Sequence, residues 1–145
     1  MNRINLICLG VADIEKSLLF YKNIGFKTYE QGSRPAIVFF DTQGTKLELF
    51  PLEGLAEDID PDNPPETAPG KFGGITLAIN MKSEKEVDDF IELVRKSGGT
   101  VVKKPRKLLT WDGYSGYFRD LDGYYWEVAY GKNWKFDEND MLIID

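Results

Sequence analysis

Two stretches decide the fold: FDTQGTKLELF at residues 40–50 and RDLDGYYWEVAY at residues 119–130. Each has an Asp, a Gly three residues on and a Glu four further on. Asp41, Gly44 and Glu48 thus recur as Asp120, Gly123 and Glu127, each displaced by 79 positions. Asp and Gly at this spacing make a tight turn, and the alternating residues after it make a strand. The repeated hairpin predicts a duplicated module, with the same glutamate carried on the last strand of each copy.

Working outward, NRINLICLGV (2–11) alternates with apolar residues on both sides and predicts a strand buried on both faces. Asp13 is placed to cap a helix over DIEKSLLFYKNIG that ends at Gly25. FKTYEQG, PAIVFFDTQG and TKLELFPL follow as three strand candidates. The order then repeats. GGITLAIN (73–80) predicts a strand, Ser83 with Glu86 a capping box, and Val87, Phe90, Ile91 and Val94 the stripe of a second helix stopped by Gly98-Gly99. TVVKKPRKLLTWDG, YSGYFRDLDG and YYWEVAY supply three more strands, and the residues after Gly131 form a tail pinned by Trp134 and Phe136.

The organisation expected is one structural domain of four parts: a βαβββ module at 1–55, an acidic Pro-rich loop at 56–71, a second βαβββ module at 72–131 and a tail at 132–145. Its class is α+β: two tandem βαβββ modules forming a curved mixed sheet around a central cavity, helices outside. One such module has too little core to stand alone, whereas two can bury their apolar faces together.

Charge narrows the partners. The 145 residues carry a net charge of −6, yet residues 51–70 hold six acidic side chains and no Lys or Arg. The rest is balanced at 18 acidic and 18 basic residues. Nucleic acid is an unsuitable partner without clustered Lys and Arg. DIDPDN (58–63) lacks the Gly and Glu of a calcium loop, with Asn63 at the sixth position and Pro69 at the twelfth. No apolar run is long enough to span a bilayer, no signal peptide opens the chain, and the single Cys8 excludes an internal disulfide. A cytoplasmic protein without a membrane partner is expected.

The twofold βαβββ order, the opening LGVADIEKSLLFYKNIGF and the closing YSGYFRDLDGYYWEVAY resemble the vicinal oxygen chelate superfamily over residues 3–131. That group includes glyoxalase I, extradiol dioxygenases and bleomycin-resistance proteins. The resemblance implies four inward positions that hold a metal in some members, and these fall on Leu6, Glu48, Gly74 and Glu127. It also implies a homodimer and a small-molecule ligand. With no histidine in the chain, and Leu and Gly at two of the four positions, no metal and no cofactor are expected.

The ligand-binding candidates are therefore Leu6, Cys8, Phe39, Glu48, Thr76, Trp111, Tyr117 and Glu127. Alternation sets each Glu opposite the apolar face of its strand, either lining a cavity or pairing at the surface. Cys8 shares the parity of Leu6 and can also pack as a small hydrophobe. Trp111 and Tyr117 flank a loop bracketed by Gly113 and Gly116, where aromatic walls suit a small-molecule pocket. Ser115 has no histidine to activate it. Two functions stay open: a metal-independent ligand-binding protein like the bleomycin-resistance members, and a lyase or isomerase with Glu48 or Glu127 as general base.

Overall fold

The computed structural model describes residues 2–29, 32 and 35–144. The chain divides into two compact units, Met1–Pro69 and Gly70–Asp145. Each carries its own mixed sheet, and the class is α+β.

In the first unit the elements run β1 (Leu6–Val11), α1 (Ile14–Asn23), β2 (Val38–Phe40), β3 (Lys46–Pro51) and α2 (Leu52–Ile59). The sheet order is β1-β3-β2, with β1 parallel and β2 antiparallel to β3. Asp13 caps α1, its carboxylate accepting from the Lys16 amide at 3.0 Å. Tyr21 of α1 is fully buried, and its ring meets Phe40 with centroids 5.4 Å apart, so α1 covers the Phe40 face of the sheet.

Two expectations change here. The strand over 26–32 is reduced to an isolated bridge between Thr28 and Phe40, and Glu30 and Gln31 lie outside the described residues. The loop expected at 56–71 begins inside a helix. Leu52, Leu55, Ala56 and Ile59 recur at i, i+3, i+4 and i+7, a helical stripe hidden among acidic residues. Prolines 61, 64 and 65 come only after that helix has ended. Asp60 then turns the chain, accepting from the amides of Asp62 and Asn63. The division between the two units, after Pro69, falls within the segment 56–71.

The second unit runs β4 (Thr76–Asn80), α3 (Glu84–Lys96), β5 (Thr100–Lys107), β6 (Gly113–Arg119) and β7 (Tyr125–Gly131), then the short hairpin β8 (Lys135–Phe136) and β9 (Leu142–Ile143). Its sheet order is β4-β7-β6-β5, with β4 parallel to β7 and the other neighbours antiparallel. Ser83 Oγ accepts from the Glu86 amide at 3.1 Å, and Glu86 reaches back to accept from the Lys82 amide. Val87, Ile91 and Val94 of α3 are buried, and Phe90 meets Phe118, which stacks on Trp126. The register of β5 slips twice, between Val101 and Lys103 and between Lys103 and Arg106, and the Pro105 ring packs over Gly116. The tail is tied down where Trp134 lies over Gly131 and Lys82 over the Phe136 ring.

The two repeated glycines both adopt left-handed backbone, Gly44 at φ 67° and Gly123 at φ 90°, which explains the residue type at both turns. Among the described residues, no helix is long and apolar enough to cross a membrane.

Candidate functional site

Each glutamate sits on a strand next to the first strand of its unit, on the sheet face opposite the main helix. In the first unit Glu48 of β3 lies across from Cys8 of β1 and from Phe39 of β2. These three form one row on one face, because directly opposite residues share a face. Leu6 stands two residues before Cys8 on the same face, beside Lys46, and is 41% exposed. Gly10, two residues after Cys8, is covered by Leu52 and Leu55 of α2. Thus α2 closes one end of the glutamate face and leaves the Leu6 end open.

Glu48 is buried, at 7% exposure, and it accepts a hydrogen bond from the Cys8 thiol. Burial comes first and the Glu48 charge second in pushing that thiol up to about 11. Near neutral pH the protonated thiol is a poor nucleophile. Alkylation of native Cys8 is therefore expected to be slow at pH 8 and to rise only as pH approaches 11, with Glu48→Gln making it faster. A native rate equal to that of the urea-unfolded chain would contradict this pairing.

In the second unit the corresponding row is longer. Lys103 of β5, Tyr117 of β6, Glu127 of β7 and Ala78 of β4 are successive partners across the sheet. Tyr117 donates to Glu127, and burial together with that carboxylate raises the phenol above its ordinary value, so it remains a proton donor. Lys103 Nζ lies 4.8 Å from the Tyr117 ring centroid and donates to Ser115 Oγ at 3.0 Å. Ser115 is fully buried. Thr76 is exposed one row further along the face, opposite Tyr125, whose ring meets Phe72 and Arg119.

The structure thus brings Leu6, Cys8, Phe39 and Glu48 onto one face, and Thr76, Tyr117 and Glu127 onto another. Trp111 lies outside the Tyr117 row. It stacks on Trp134 with ring centroids 5.4 Å apart, and the two rings cover the opposed pair Gly113 and Gly131. Sequence reasoning missed Lys103. The register shifts on either side of Lys103 hid its alignment with Tyr117. Ser115 was considered only as a nucleophile. The usable signal was parity, since Ser115 and Tyr117 alternate on one strand and face the same way.

A resident catalytic metal does not fit these residues. Leu6 has no donor atom, and Gly74, with φ 85°, precedes β4 and has no side chain. Among the described residues, no three His, Cys, Asp or Glu side chains come together. Catalytic sites of first-row metals take three protein ligands, which these positions do not offer.

Comparison with known proteins agrees with the fold. Residues 3–128 match the family model described as Glyoxalase/Bleomycin resistance protein/Dioxygenase superfamily. A curated relative, the metallothiol transferase FosB of Shouchella clausii, is 26% identical over 133 residues, spanning 90% of this chain and 82% of its own. A glyoxalase-related enzyme from Fulvimarina pelagi superposes with a TM-score of 0.85 at 26% identity, covering 99% of both chains. A lactoylglutathione lyase from Agrobacterium tumefaciens, at 22% identity, shares the fold with a TM-score of 0.66 over 94% of this chain and 99% of its own.

Proposed function

The chain belongs to the Glyoxalase/Bleomycin resistance protein/Dioxygenase superfamily, and from that premise we propose that it binds a small organic ligand on its glutamate-bearing sheet faces without a resident metal. The observation that carries this reading is the row Lys103–Tyr117–Glu127. A cation, a phenol donor and a carboxylate stand side by side on one face of the second sheet. Few polar groups among aromatic neighbours suit recognition of a small molecule. The metal-linked names of the relatives do not transfer, because Leu6 and Gly74 supply no donors. Homodimerisation belongs to the same proposal, carried by the resemblance.

The test is ligand capture by untagged protein, read by native mass spectrometry and then by calorimetry with whatever compound is recovered. Stoichiometric binding that survives chelation is expected. Glu127→Gln removes a charged hydrogen-bond acceptor, worth about 1.5–3 kcal/mol, and so weakens Kd by roughly tenfold to a hundredfold. Binding that requires a divalent metal, or an unchanged Kd in Glu127→Gln, would overturn the reading.

A second reading keeps Glu127 as a general base in a lyase or isomerase step. It is favoured by the Tyr117–Glu127 hydrogen bond, which pairs a carboxylate with a protonated donor on the same face. Turnover lost in Glu127→Gln with binding retained would select it.

A further inference from the structure

Lys103 lies on the face of the second sheet that carries Tyr117 and Glu127. It is half-buried. Its ammonium is held by the Ser115 hydroxyl and the Tyr117 ring, and among the described residues it forms no salt bridge. Neither of these partners carries a negative charge, so the ammonium is free to pair with an anionic ligand group. The lysine also leans in a definite direction. Its strand partner is Tyr117, but it donates to Ser115, two residues nearer Gly113.

At Gly113 the face ends in a wall of two indoles. A Cβ on Gly113 would come within 2.1 Å of the Trp111 ring, and one on Gly131 within 2.6 Å of Trp134. The two glycines therefore seat the stack directly on the sheet. Trp111 remains 39% exposed. Ser115 and Gly113 are about 7 Å apart along the strand, a span that one benzoate-sized ligand can cover.

We infer that Lys103 and the Trp111–Trp134 stack form an aryl carboxylate subsite on the second unit. The ligand's carboxylate sits on the Lys103 ammonium beside Ser115, and its ring packs against the exposed indole of Trp111. The carboxylate of Glu127, across Tyr117, confines the anionic end to the Lys103 side by like-charge repulsion. This rests on the ligand-binding reading above and names the class of ligand. Lys103 supplies here a fixed positive charge in a site whose residues do not fit a metal.

The experiment titrates isotope-labelled protein with benzoate and with its neutral counterpart benzamide, following indole and backbone amide resonances. Benzoate is expected to shift the Trp111 and Trp134 indoles and the Ser115 amide, and to bind at least about tenfold more tightly than benzamide. Lys103→Met should erase that preference, Lys103→Arg should keep it, and Trp111→Ala should weaken both ligands. Equal affinity for the two compounds, no binding of either, or an unaltered preference in Lys103→Met would overturn the subsite. If other fragments still shift the Tyr117 and Glu127 amides independently of Lys103, the broader ligand-binding reading stands while the subsite falls. Fragment binding abolished by chelation would instead overturn the broader reading.

Discussion

Gly123→Ala is expected to destabilise the second unit by about 2–4 kcal/mol. Two separate causes act at this position. Its φ of 90° is left-handed, where an L side chain is strained. A Cβ there would also lie 2.8 Å from the Cα of Gly70, a backbone atom that cannot rotate away. The segment entering the second unit must then shift from the turn on which it rests. All three tryptophans, Trp111, Trp126 and Trp134, belong to the second unit, so tryptophan fluorescence reports its unfolding alone. A urea midpoint within experimental error of the wild type would refute the argument. Gly44→Ala meets the same backbone strain at φ 67° and should cost about 1–2 kcal/mol.

The larger effect is expected from Phe118→Ala, at about 3–5 kcal/mol. Phe118 is fully buried on the α3 side of β6. Its ring lies 6.0 Å from Trp126, nearly parallel, and 6.3 Å from Phe90. Truncation removes the Phe90–Phe118 contact between α3 and the sheet and leaves a cavity that the packed sheet only partly fills. Denaturation followed at Trp126 reads the loss directly, and Phe118→Leu should recover most of it by refilling the volume. A cost below about 1 kcal/mol for the alanine variant would mean that helix and sheet are held by other contacts.

These two positions show what could be read from sequence. The Asp-Gly-Glu repeat marked both turns and put both glutamates on strands, because turn chemistry and alternation are local signals, whereas the parallel pairing of those strands with the first strand of each unit is seen only in the structure. The caps at Asp13 and Ser83 were legible for the same reason. What escaped depended on partners distant in sequence. The helix Leu52–Ile59 was masked by its acidic and proline-rich surroundings, although its apolar spacing was present. Of the strand expected at 26–32, the described residues keep only a bridge at Thr28, since pairing with a neighbour, not propensity, decides whether a strand forms. Trp111 was correctly picked as aromatic but not as half of a stack, because its seat requires Gly113 and Gly131 to meet across two strands. Lys103 joined the Tyr117 row only through the irregular pairing of β5.

That irregular β5 also governs what the protein does in a crowd. It is the outermost strand of its sheet on that side, and an outermost strand offers unpaired amides and carbonyls to any passing chain. Here the offer is withdrawn. Pro105 removes one donor, the two register slips bend the ladder out of line, and Lys103, Lys104, Arg106 and Lys107 place charge along it. The same bend that delivers one ammonium to Ser115 thus keeps the border of the sheet from templating another strand. Smoothing the two slips to strengthen the sheet would restore that border and turn Lys103 away from Tyr117.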